Sequence, residues 1–306
     1  MRAVYQETFG GPDVLTVGEV PDPPVGPDSV LVRVRAAALN PVDVLIRSGA
    51  LQGAYPWAFP LVLGWDVAGV VEKVGPAVTE LAVGDEVIAY ARKDLVQGGT
   101  LAELVVLSPR HLARKPASAS FEEAAGLPLA GLTARQALDA VGVGAGDTVL
   151  ASNASGGVGS FAVQLAAARG ARVIGTASER NHDYLRSLGA EPVTYGEGLV
   201  QRVLDAADEQ VDAVVDFAGA GLSEVPQLVK DTARVASVVD AATVLGFGGR
   251  YVFVRPDAAM LQELSDAMDA GTLRTEVAAT YPLEGAAEAL SVLEGGHVRG
   301  KLVVTL

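Results

Sequence analysis

The sequence lacks cysteine altogether and contains only three histidines. Because no thiol is present, the chain forms no disulfide, has no thiolate nucleophile and offers zinc no sulfur ligand. His111, His182 and His297 lie far apart in the sequence, so a tetrahedral zinc site is not expected. Aromatic residues supply 5% of the chain and hydrophobic residues 50%, so alanine and valine provide most of the apolar content.

Positive charge is also scarce. The chain has 23 lysines and arginines against 37 acidic residues, which gives a formal net charge of −14. Such a surface repels nucleic acid and anionic lipid, so we expect neither as a partner. The N-terminus has no apolar run of signal-peptide length, and the longest uncharged stretch, residues 148–168, is interrupted by glycines and polar residues. Together with the absence of cysteine, this predicts a cytoplasmic protein.

The most informative stretch is a glycine-rich turn near the middle of the chain. The apolar pattern predicts a buried strand over residues 148–152, a helix over 158–169 and a second buried strand over 172–177. Between the first strand and the helix stands ASGGVG, from Ala154 to Gly159, which fits G-x-G-x-x-G with alanine at the first position. These elements predict a βαβ unit typical of dinucleotide-binding domains.

The residue types in this turn suit a diphosphate. Gly156 lets the backbone approach the anion without a side chain in the way, and Gly159 lets the helix pack tightly on the strand. The free N–H groups at the start of the helix point towards the anion. The alternative is a tight turn that binds nothing, which the strand–helix context disfavours. The residues expected to bind the dinucleotide here are Ser155, Gly156, Gly157 and Val158.

The residues after the second strand favour NADPH. About 20 residues past such a turn, an acid selects the 2′-hydroxyl of NADH, whereas basic or hydroxyl-bearing residues suit the 2′-phosphate of NADPH. Ser178 can donate a hydrogen bond and Arg180 can pair with a phosphate. Glu179 would favour NAD if its carboxylate pointed inward, but a negative charge is also stabilising at a helix start. We therefore predict NADPH as the cofactor.

Two differently built domains are expected in a chain of 306 residues. The first part has short strands separated by proline and glycine, including strands predicted over residues 29–38 and 61–74. From residue 120 strands and helices alternate, which predicts a parallel sheet with ligands at the carboxyl ends of its strands. Later elements are predicted as strands over 250–255 and 301–306 and helices over 199–207, 258–268 and 283–293.

Five segments, in this order, resemble those of one family: residues 37–43 (AALNPVD), 64–87, 124–138 (AAGLPLAGLTARQAL), 145–159 and 295–304 (GGHVRGKLVV). The chain is similar to the zinc-independent medium-chain dehydrogenase/reductases, in the branch of quinone oxidoreductases and alkenal or enone reductases. The resemblance implies an α/β fold with a GroES-like β-rich catalytic domain (residues 1–119 and 265–306) and a Rossmann doubly wound parallel-sheet domain (residues 120–264). It also implies a homodimer that acts on a small-molecule quinone or enone.

The resemblance also assigns site residues. The metal-dependent branch of the family has cysteine where Asn40 stands and His-Glu where Trp65 and Asp66 stand, so no metal site is carried over. Asn40 and Thr133 correspond to residues that approach the nicotinamide, and Tyr195 corresponds to one beside the 2′-phosphate. Asp66 is interpreted as a structural cap of a backbone group.

The substrate pocket is expected, by the same resemblance, to include Asn40, Leu45 and Trp65. Asn40 and Trp65 each have a structural alternative that the sequence leaves open. Asn40 is also a common turn former before proline, and Trp65 is equally suited to packing in the core. Thr133, expected at the cofactor, is equally suited to bonding its own backbone within a helix.

The predicted reaction transfers hydride without a metal. Its substrate must then accept hydride unaided, as quinones and α,β-unsaturated carbonyl compounds do. The catalytic acid is unknown, because relatives have tyrosine or lysine where Leu45 stands and leucine cannot donate a proton. Tyr55 and Tyr90 are candidate donors, each interpreted first as a packed aromatic with its hydroxyl at the surface. The alternatives are an enoyl-thioester reductase of polyketide or fatty-acid type and a non-catalytic NADPH-binding protein.

Overall fold

A computed structural model describes residues 1–306, which form seventeen strands and nine α-helices. The strands, in chain order, are β1 (Arg2–Gln6), β2 (Thr16–Glu19), β3 (Val30–Ala38), β4 (Trp57–Val62), β5 (Asp66–Val74), β6 (Glu86–Tyr90), β7 (Val96–Gly98), β8 (Leu104–Leu107), β9 (Leu112–Arg114), β10 (Thr148–Ala151), β11 (Arg172–Ala177), β12 (Ala190–Thr194), β13 (Ala213–Asp216), β14 (Val235–Ser237), β15 (Arg250–Tyr251), β16 (Val277–Pro282) and β17 (Lys301–Thr305).

The helices connect these strands, and short 3₁₀ turns precede several of them. None of the helices is both long enough and apolar enough to cross a bilayer. In chain order they are α1 (Pro41–Ser48), α2 (Phe121–Ala125), α3 (Pro128–Ala140), α4 (Gly157–Ala168), α5 (His182–Ser187), α6 (Leu199–Ala207), α7 (Ala241–Gly246), α8 (Ala258–Asp269) and α9 (Ala286–Glu294).

The chain divides into two compact units. The β-rich unit consists of residues 1–129 and 256–306, and the parallel-sheet unit consists of residues 130–255. The sequence places these boundaries at 119 and 265, about ten residues away at each end, because it assigns α2 and α8 to the dinucleotide domain. In the structure α2 packs on β3 and β5, and α8 packs on β9, where Gln262 Oε1 accepts a hydrogen bond of 2.9 Å from the backbone N–H of Arg114.

The β-rich unit contains two sheets. One has the strand order β2-β1-β4-β7, and the other has the order β16-β17-β3-β5-β6-β9, with β8 also paired to β3. The last strand, β17, runs antiparallel to β3, with Val303 opposite Ala38. The expectation that the C-terminus returns to the N-terminal domain is therefore confirmed.

The parallel-sheet unit is a Rossmann domain. Its six strands lie in the order β12-β11-β10-β13-β14-β15 and every neighbouring pair is parallel. This is the order of a doubly wound sheet, in which the order of the strands reverses at β10. Leu150, Ile174 and Val214 form its core with helix residues such as Val203 and Val244. The predicted βαβ unit is confirmed, with α4 beginning one residue earlier than expected.

Three predicted elements differ from those observed. The strand predicted over residues 61–74 is two strands, β4 and β5, because Gly64 between them has a φ of +98°, which an extended strand does not adopt. The strand predicted over 250–255 is only β15, two residues long. The helix predicted over 283–293 begins as the 3₁₀ turn Leu283–Gly285 before α9.

Candidate active site

The glycine-rich turn places an open helix N-terminus at the end of β10. Gly156 is the N-cap of α4, and no side chain caps it. The first bond of the helix runs from the N–H of Ser160 to the carbonyl of Gly156 at 3.0 Å, so the N–H groups before it have no partner within the helix. A diphosphate accepts hydrogen bonds from such groups and is stabilised by the helix dipole. The residues present therefore fit a dinucleotide diphosphate.

Gly159 has no room for a side chain. A Cβ atom there would lie 2.2 Å from the carbonyl oxygen of Asn153 and 2.7 Å from the Cα of Ala154. Both are backbone atoms, so the clash could be relieved only by moving α4 away from the turn. Ala154 is fully buried, and its N–H donates to the carbonyl of Thr176 at 2.9 Å. The observed packing matches the role predicted for Gly159.

The residues expected to read the 2′-phosphate share one edge of the sheet with this turn. Strands β10, β11 and β12 are parallel neighbours, and Ala177 of β11 pairs with Thr194 of β12, so all three end at the same edge. Ser178 follows β11 and is half-buried, whereas Arg180 is exposed. Tyr195 follows β12 with 49% of its surface exposed. Glu179 is also exposed and directly precedes Arg180, so an acidic and a basic side chain both lie at this edge.

Arg202, which the sequence analysis missed, fixes the loop that carries Tyr195. From α6 its guanidinium donates to the carbonyls of Thr194 and Glu197 at 2.9 Å, and to those of Tyr195 and Gly196 at 3.4 and 3.3 Å. No sequence pattern distinguishes it from an exposed helix arginine. Because the guanidinium is bound to four carbonyls, Arg202 positions the loop.

Asp216 joins three loops at the same edge of the sheet. Its carboxylate accepts hydrogen bonds from the hydroxyls of Ser152 at 2.7 Å and Ser237 at 2.8 Å, and from the backbone N–H of Gly219 at 3.0 Å. Ser152 follows β10 and Ser237 ends β14, so one buried carboxylate ties the glycine-rich turn to the ends of two further strands.

In the β-rich unit, Asn40 and Asp66 are bound to a buried lysine. The ammonium of Lys301 donates to Asn40 Oδ1 at 2.6 Å, to the carbonyl of Leu39 at 3.0 Å and to Asp66 Oδ2 at 3.4 Å. Asn40 Nδ2 in turn donates to Asp66 Oδ2 at 2.9 Å. The backbone N–H of Leu129 donates to Asp66 Oδ1 at 2.7 Å, which agrees with the predicted capping role of this carboxylate.

This arrangement limits what Asn40 can do. The residue is 2% exposed, and both atoms of its amide have partners within the cluster of Asn40, Asp66 and Lys301. Its side chain therefore bridges two charged groups, and the residue is also the N-cap of α1 before Pro41. The contact of Asn40 with nicotinamide or substrate stays a prediction.

Burial raises the pKa of both carboxyl groups in this region. The pKa of Asp43 rises to about 7, because burial and the nearby charge of Asp66 outweigh hydrogen bonds from the backbone N–H groups of Asn40 and Gly64 and the attraction of Lys301. The pKa of Asp66 is also raised by burial, against the charge of Lys301 and the bonds from Asn40 and Leu129. Lys301 thus favours the charged form of both carboxylates.

Trp65 is 6% exposed and packs between two tyrosines. Its ring centroid lies 5.9 Å from that of Tyr55 and 6.0 Å from that of Tyr90. Tyr90 is 1% exposed, so the expectation that its hydroxyl lies at the surface is wrong, and burial raises its pKa. Leu45 lies on the exposed face of α1, with 44% of its surface accessible.

A small open pocket lies beside Tyr55 in the same unit. Its enclosed volume is about 10 Å³, room for one water molecule, and aromatic and aliphatic side chains form most of its wall. Gln52 contributes the one amide. Its walls include Phe9, Leu51, Gln52, Tyr55, Trp57 and Val96.

Thr133 and the histidines occupy separate places. Thr133 is 3% exposed within α3. His111 is buried, its ring nitrogens lie 3.2 and 3.1 Å from the carbonyl oxygens of Ser108 and Arg92, and burial lowers its pKa. His182 lies 3.5 Å, by its Nε2, from the hydroxyl of Thr194.

Comparison with known proteins supplies the family. Residues 26–117 match the alcohol dehydrogenase GroES-like domain and residues 188–304 match the zinc-binding dehydrogenase family. Over 99% of its length the chain is 36% identical to the chloroplastic NADPH-dependent alkenal/one oxidoreductase of Arabidopsis thaliana, 79% of which is covered. The chain belongs to the medium-chain dehydrogenase/reductases, in the branch of quinone and enone oxidoreductases.

Solved structures of this family share its fold over the full chain. A quinone oxidoreductase from Coxiella burnetii is 33% identical, with a TM-score of 0.90 and coverage of 100% of this chain and 99% of that one. A protein described as an NAD-dependent alcohol dehydrogenase is 36% identical, with a TM-score of 0.89 and full coverage of both chains. Among these relatives, one name therefore specifies NADPH and another specifies NAD.

The residues of this medium-chain dehydrogenase/reductase do not fit a zinc centre. The structure contains no group of three or more histidine, aspartate or glutamate side chains able to hold a metal. Asn40 and Asp66 are bound to the ammonium of Lys301, and His297 is the one histidine between residues 188 and 304. An ammonium bonded to both side chains competes with any cation for them. Metal-independence of the reaction stays a prediction.

Proposed function

We propose that this chain is an NADPH-dependent oxidoreductase that reduces quinones or α,β-unsaturated carbonyl compounds without a metal. The observation that carries the proposal is the pairing of an uncapped α4 N-terminus in the parallel-sheet unit with a lysine-bound Asn40 and Asp66 in the β-rich unit. The first suits a dinucleotide, and in the second an ammonium group occupies the side chains that a metal would need.

The proposed binding residues act on separate parts of the cofactor. Backbone N–H groups from Gly157 and Val158 would hold the diphosphate. Ser178, Arg180 and Tyr195, at the ends of β11 and β12, would surround the 2′-phosphate, where the guanidinium supplies the compensating charge. Glu179 is an exposed acid next to Arg180, and we propose that its carboxylate remains in solvent.

The bound cofactor supplies a hydride, which an enone or a quinone accepts because the arriving charge delocalises onto oxygen. The chain's own contribution is to orient the substrate and to exclude water. We propose that the open pocket beside Tyr55 contacts an apolar part of the substrate, since aromatic and aliphatic side chains line it. Trp65 and Tyr90 form a rigid aromatic backing next to it.

Steady-state turnover tests the proposal. NADPH oxidation is measured with a quinone, an alkenal, an enone and an enoyl thioester in parallel. We expect turnover of the quinone or the free enones. Faster reduction of the thioester would move the chain to the enoyl-thioester reductases, and tight NADPH binding without any turnover would make it a non-catalytic NADPH-binding protein.

A homodimer is the proposed assembly. Strand β15 is the edge of the six-stranded sheet, and side chains beside it are exposed: Tyr251 at 38%, Phe253 at 52% and Leu245 at 58%. An open edge with apolar neighbours favours pairing with another strand. We propose that two copies of the chain pair through this edge.

A further inference from the structure

The buried amide of Asn181 lies between two hydroxyl groups of the proposed cofactor site. Asn181 ends the 3₁₀ turn Glu179–Asn181 after β11 and is 8% exposed. Its Nδ2 donates to Ser155 Oγ at 3.1 Å and to Ser178 Oγ at 3.4 Å. Its backbone N–H donates to the carbonyl of Ser178 at 2.8 Å, which fixes the residue relative to the end of the strand.

These bonds determine how the two serines can use their hydroxyl groups. A serine hydroxyl has one hydrogen to donate and two lone pairs with which to accept. The amide N–H groups of Asn181 occupy a lone pair on Ser155 Oγ and one on Ser178 Oγ. Each O–H hydrogen is therefore directed away from Asn181. An acidic or amide oxygen in the same place would instead attract both hydrogens.

The two hydroxyls are close enough to serve one anion. Both lie within hydrogen-bond distance of a single nitrogen atom, and one comes from the glycine-rich turn while the other comes from the end of β11. Two hydroxyl groups that lie within about 7 Å of each other can both donate to oxygens of one phosphate group. Arg180 follows Ser178 by two residues on the exposed side of the same turn.

We infer that Asn181 is a positioning residue that sets the preference for NADPH over NADH, by holding the hydroxyls of Ser155 and Ser178 as donors towards the 2′-phosphate. This inference rests on the proposed NADPH-dependent function. NADH has a hydroxyl where NADPH has the phosphate and gains little from a pair of aimed donors. A residue that only stabilised the turn would support both cofactors equally.

Dissociation constants for NADPH and NADH in Asn181→Ala test the inference. We expect the constant for NADPH to rise about ten-fold and that for NADH to change less than about two-fold, because loss of the amide frees the hydroxyls to turn away. In the Ser178→Ala background, Asn181→Ala should have a smaller effect on NADPH, since part of its action passes through Ser178. Gln201→Ala, which removes an exposed amide bonded to Asp205 on α6, is the control and should change neither constant.

Asn181→Asp provides a second variant if Asn181→Ala does not fold. It keeps the shape of the side chain, but its carboxylate accepts hydrogen bonds where the amide donates them. Binding of NADPH should therefore weaken more than about ten-fold, while binding of NADH weakens much less. Equal weakening of both cofactors, or no change for NADPH, would overturn the role of Asn181 and leave the proposed function intact. Failure of the unsubstituted protein to bind NADPH would overturn the proposed function and this inference together.

Discussion

Lys301 lies where a charge is costly unless it is compensated. It is 4% exposed and its partner Asp66 is fully buried. A buried ion pair adds little net stability compared with apolar packing. Removal of one partner, however, leaves the other charge buried without compensation and lowers the free energy of unfolding by about 3–5 kcal/mol. The three bonds from Lys301 and the bonds from Leu129 and Asn40 satisfy these groups. The cluster therefore fixes the geometry around Asn40.

Replacement of Arg180 should affect the binding of NADPH and the binding of NADH differently. Arg180→Ala should weaken NADPH binding by about 2 kcal/mol and leave NADH nearly unchanged, because one charged contact to the 2′-phosphate is lost. Titration calorimetry with both cofactors measures this. The control is Arg186→Ala on α5, where the arginine pairs with Asp183 at 2.7 Å and is not assigned to the cofactor. Equal losses for NADPH and NADH would show that the phosphate lies elsewhere.

Asp43 gives the protein a pH-dependent stability of known sign. Its pKa is about 7 in the folded state against an ordinary value of 3.8, so the folded form binds the proton more tightly. Its contribution is fully present at low pH and is lost as the pH rises through about 7. In Asp43→Asn this loss is absent, and urea unfolding should show the variant gaining about 2 kcal/mol relative to the unsubstituted protein between pH 5 and 8.

The exposed Asp28 supplies the control for that comparison. Asp28→Asn, which replaces a carboxyl group on the surface of the protein, should follow the unsubstituted protein at every pH. A constant difference between Asp43→Asn and the unsubstituted protein across this range would contradict the raised pKa of Asp43.

Sequence reasoning found the residues that follow a periodic signal and missed those that depend on tertiary contacts. The place of Ser178 and Arg180 at the end of β11 could be predicted because the spacing from the glycine-rich turn is set by one helix and one strand, and their contact with the cofactor stays a prediction. The contact of Lys301 with Asp66 joins residues 235 positions apart, and no local pattern marks either as charged and buried. Likewise, no local pattern marks Asn181 as buried between two hydroxyl groups.

At the scale of elements, α4 depends on its close approach to β10. The apolar run of α4 and the two buried strands around it were predictable because each buries most of its residues, which makes the pattern strong. Strand β16 was missed because its alternate residues are exposed and it pairs with β17 through a register shift. The short strands β7, β8 and β9, of three or four residues, give too few positions for a pattern.

Gly159→Ala tests this close approach. The new methyl group would lie 2.2 Å from a backbone oxygen, so α4 must move, with a loss of about 1–3 kcal/mol in stability and weaker binding of NADPH. Thermal unfolding and cofactor titration measure the two effects. Gly144→Ala is the control, because nothing lies within 4 Å of its added Cβ. Unchanged NADPH affinity in Gly159→Ala would separate α4 from the binding of the diphosphate.

At the scale of the whole molecule, the family and the two-unit architecture followed from several motifs in order, whereas the exact boundaries did not. Residues 120–129 and 256–264 read as part of an alternating α/β pattern, yet their helices pack on strands of the β-rich unit. Only tertiary packing decides such an assignment. Cellular location also stays a prediction, since relatives carry chloroplastic and mitochondrial names.

Phe253→Asp tests the proposed assembly. A charge beside the β15 edge should disfavour pairing of two such edges, and sedimentation should show a dimer for the unsubstituted protein and a monomer for the variant. Val83→Asp, on a side chain that is 66% exposed in the β-rich unit, should leave the dimer intact. A dimer that survives Phe253→Asp would place the interface on another surface.

Since Lys301 holds Asn40 and Asp66, we expect NADPH oxidation by this chain to need no metal. The most direct measurement is the rate of NADPH oxidation with an enone after exhaustive treatment with a chelator, with and without added zinc. The account predicts the same rate in all three preparations: untreated, chelated and zinc-supplemented. A loss of activity on chelation that zinc restores would contradict it.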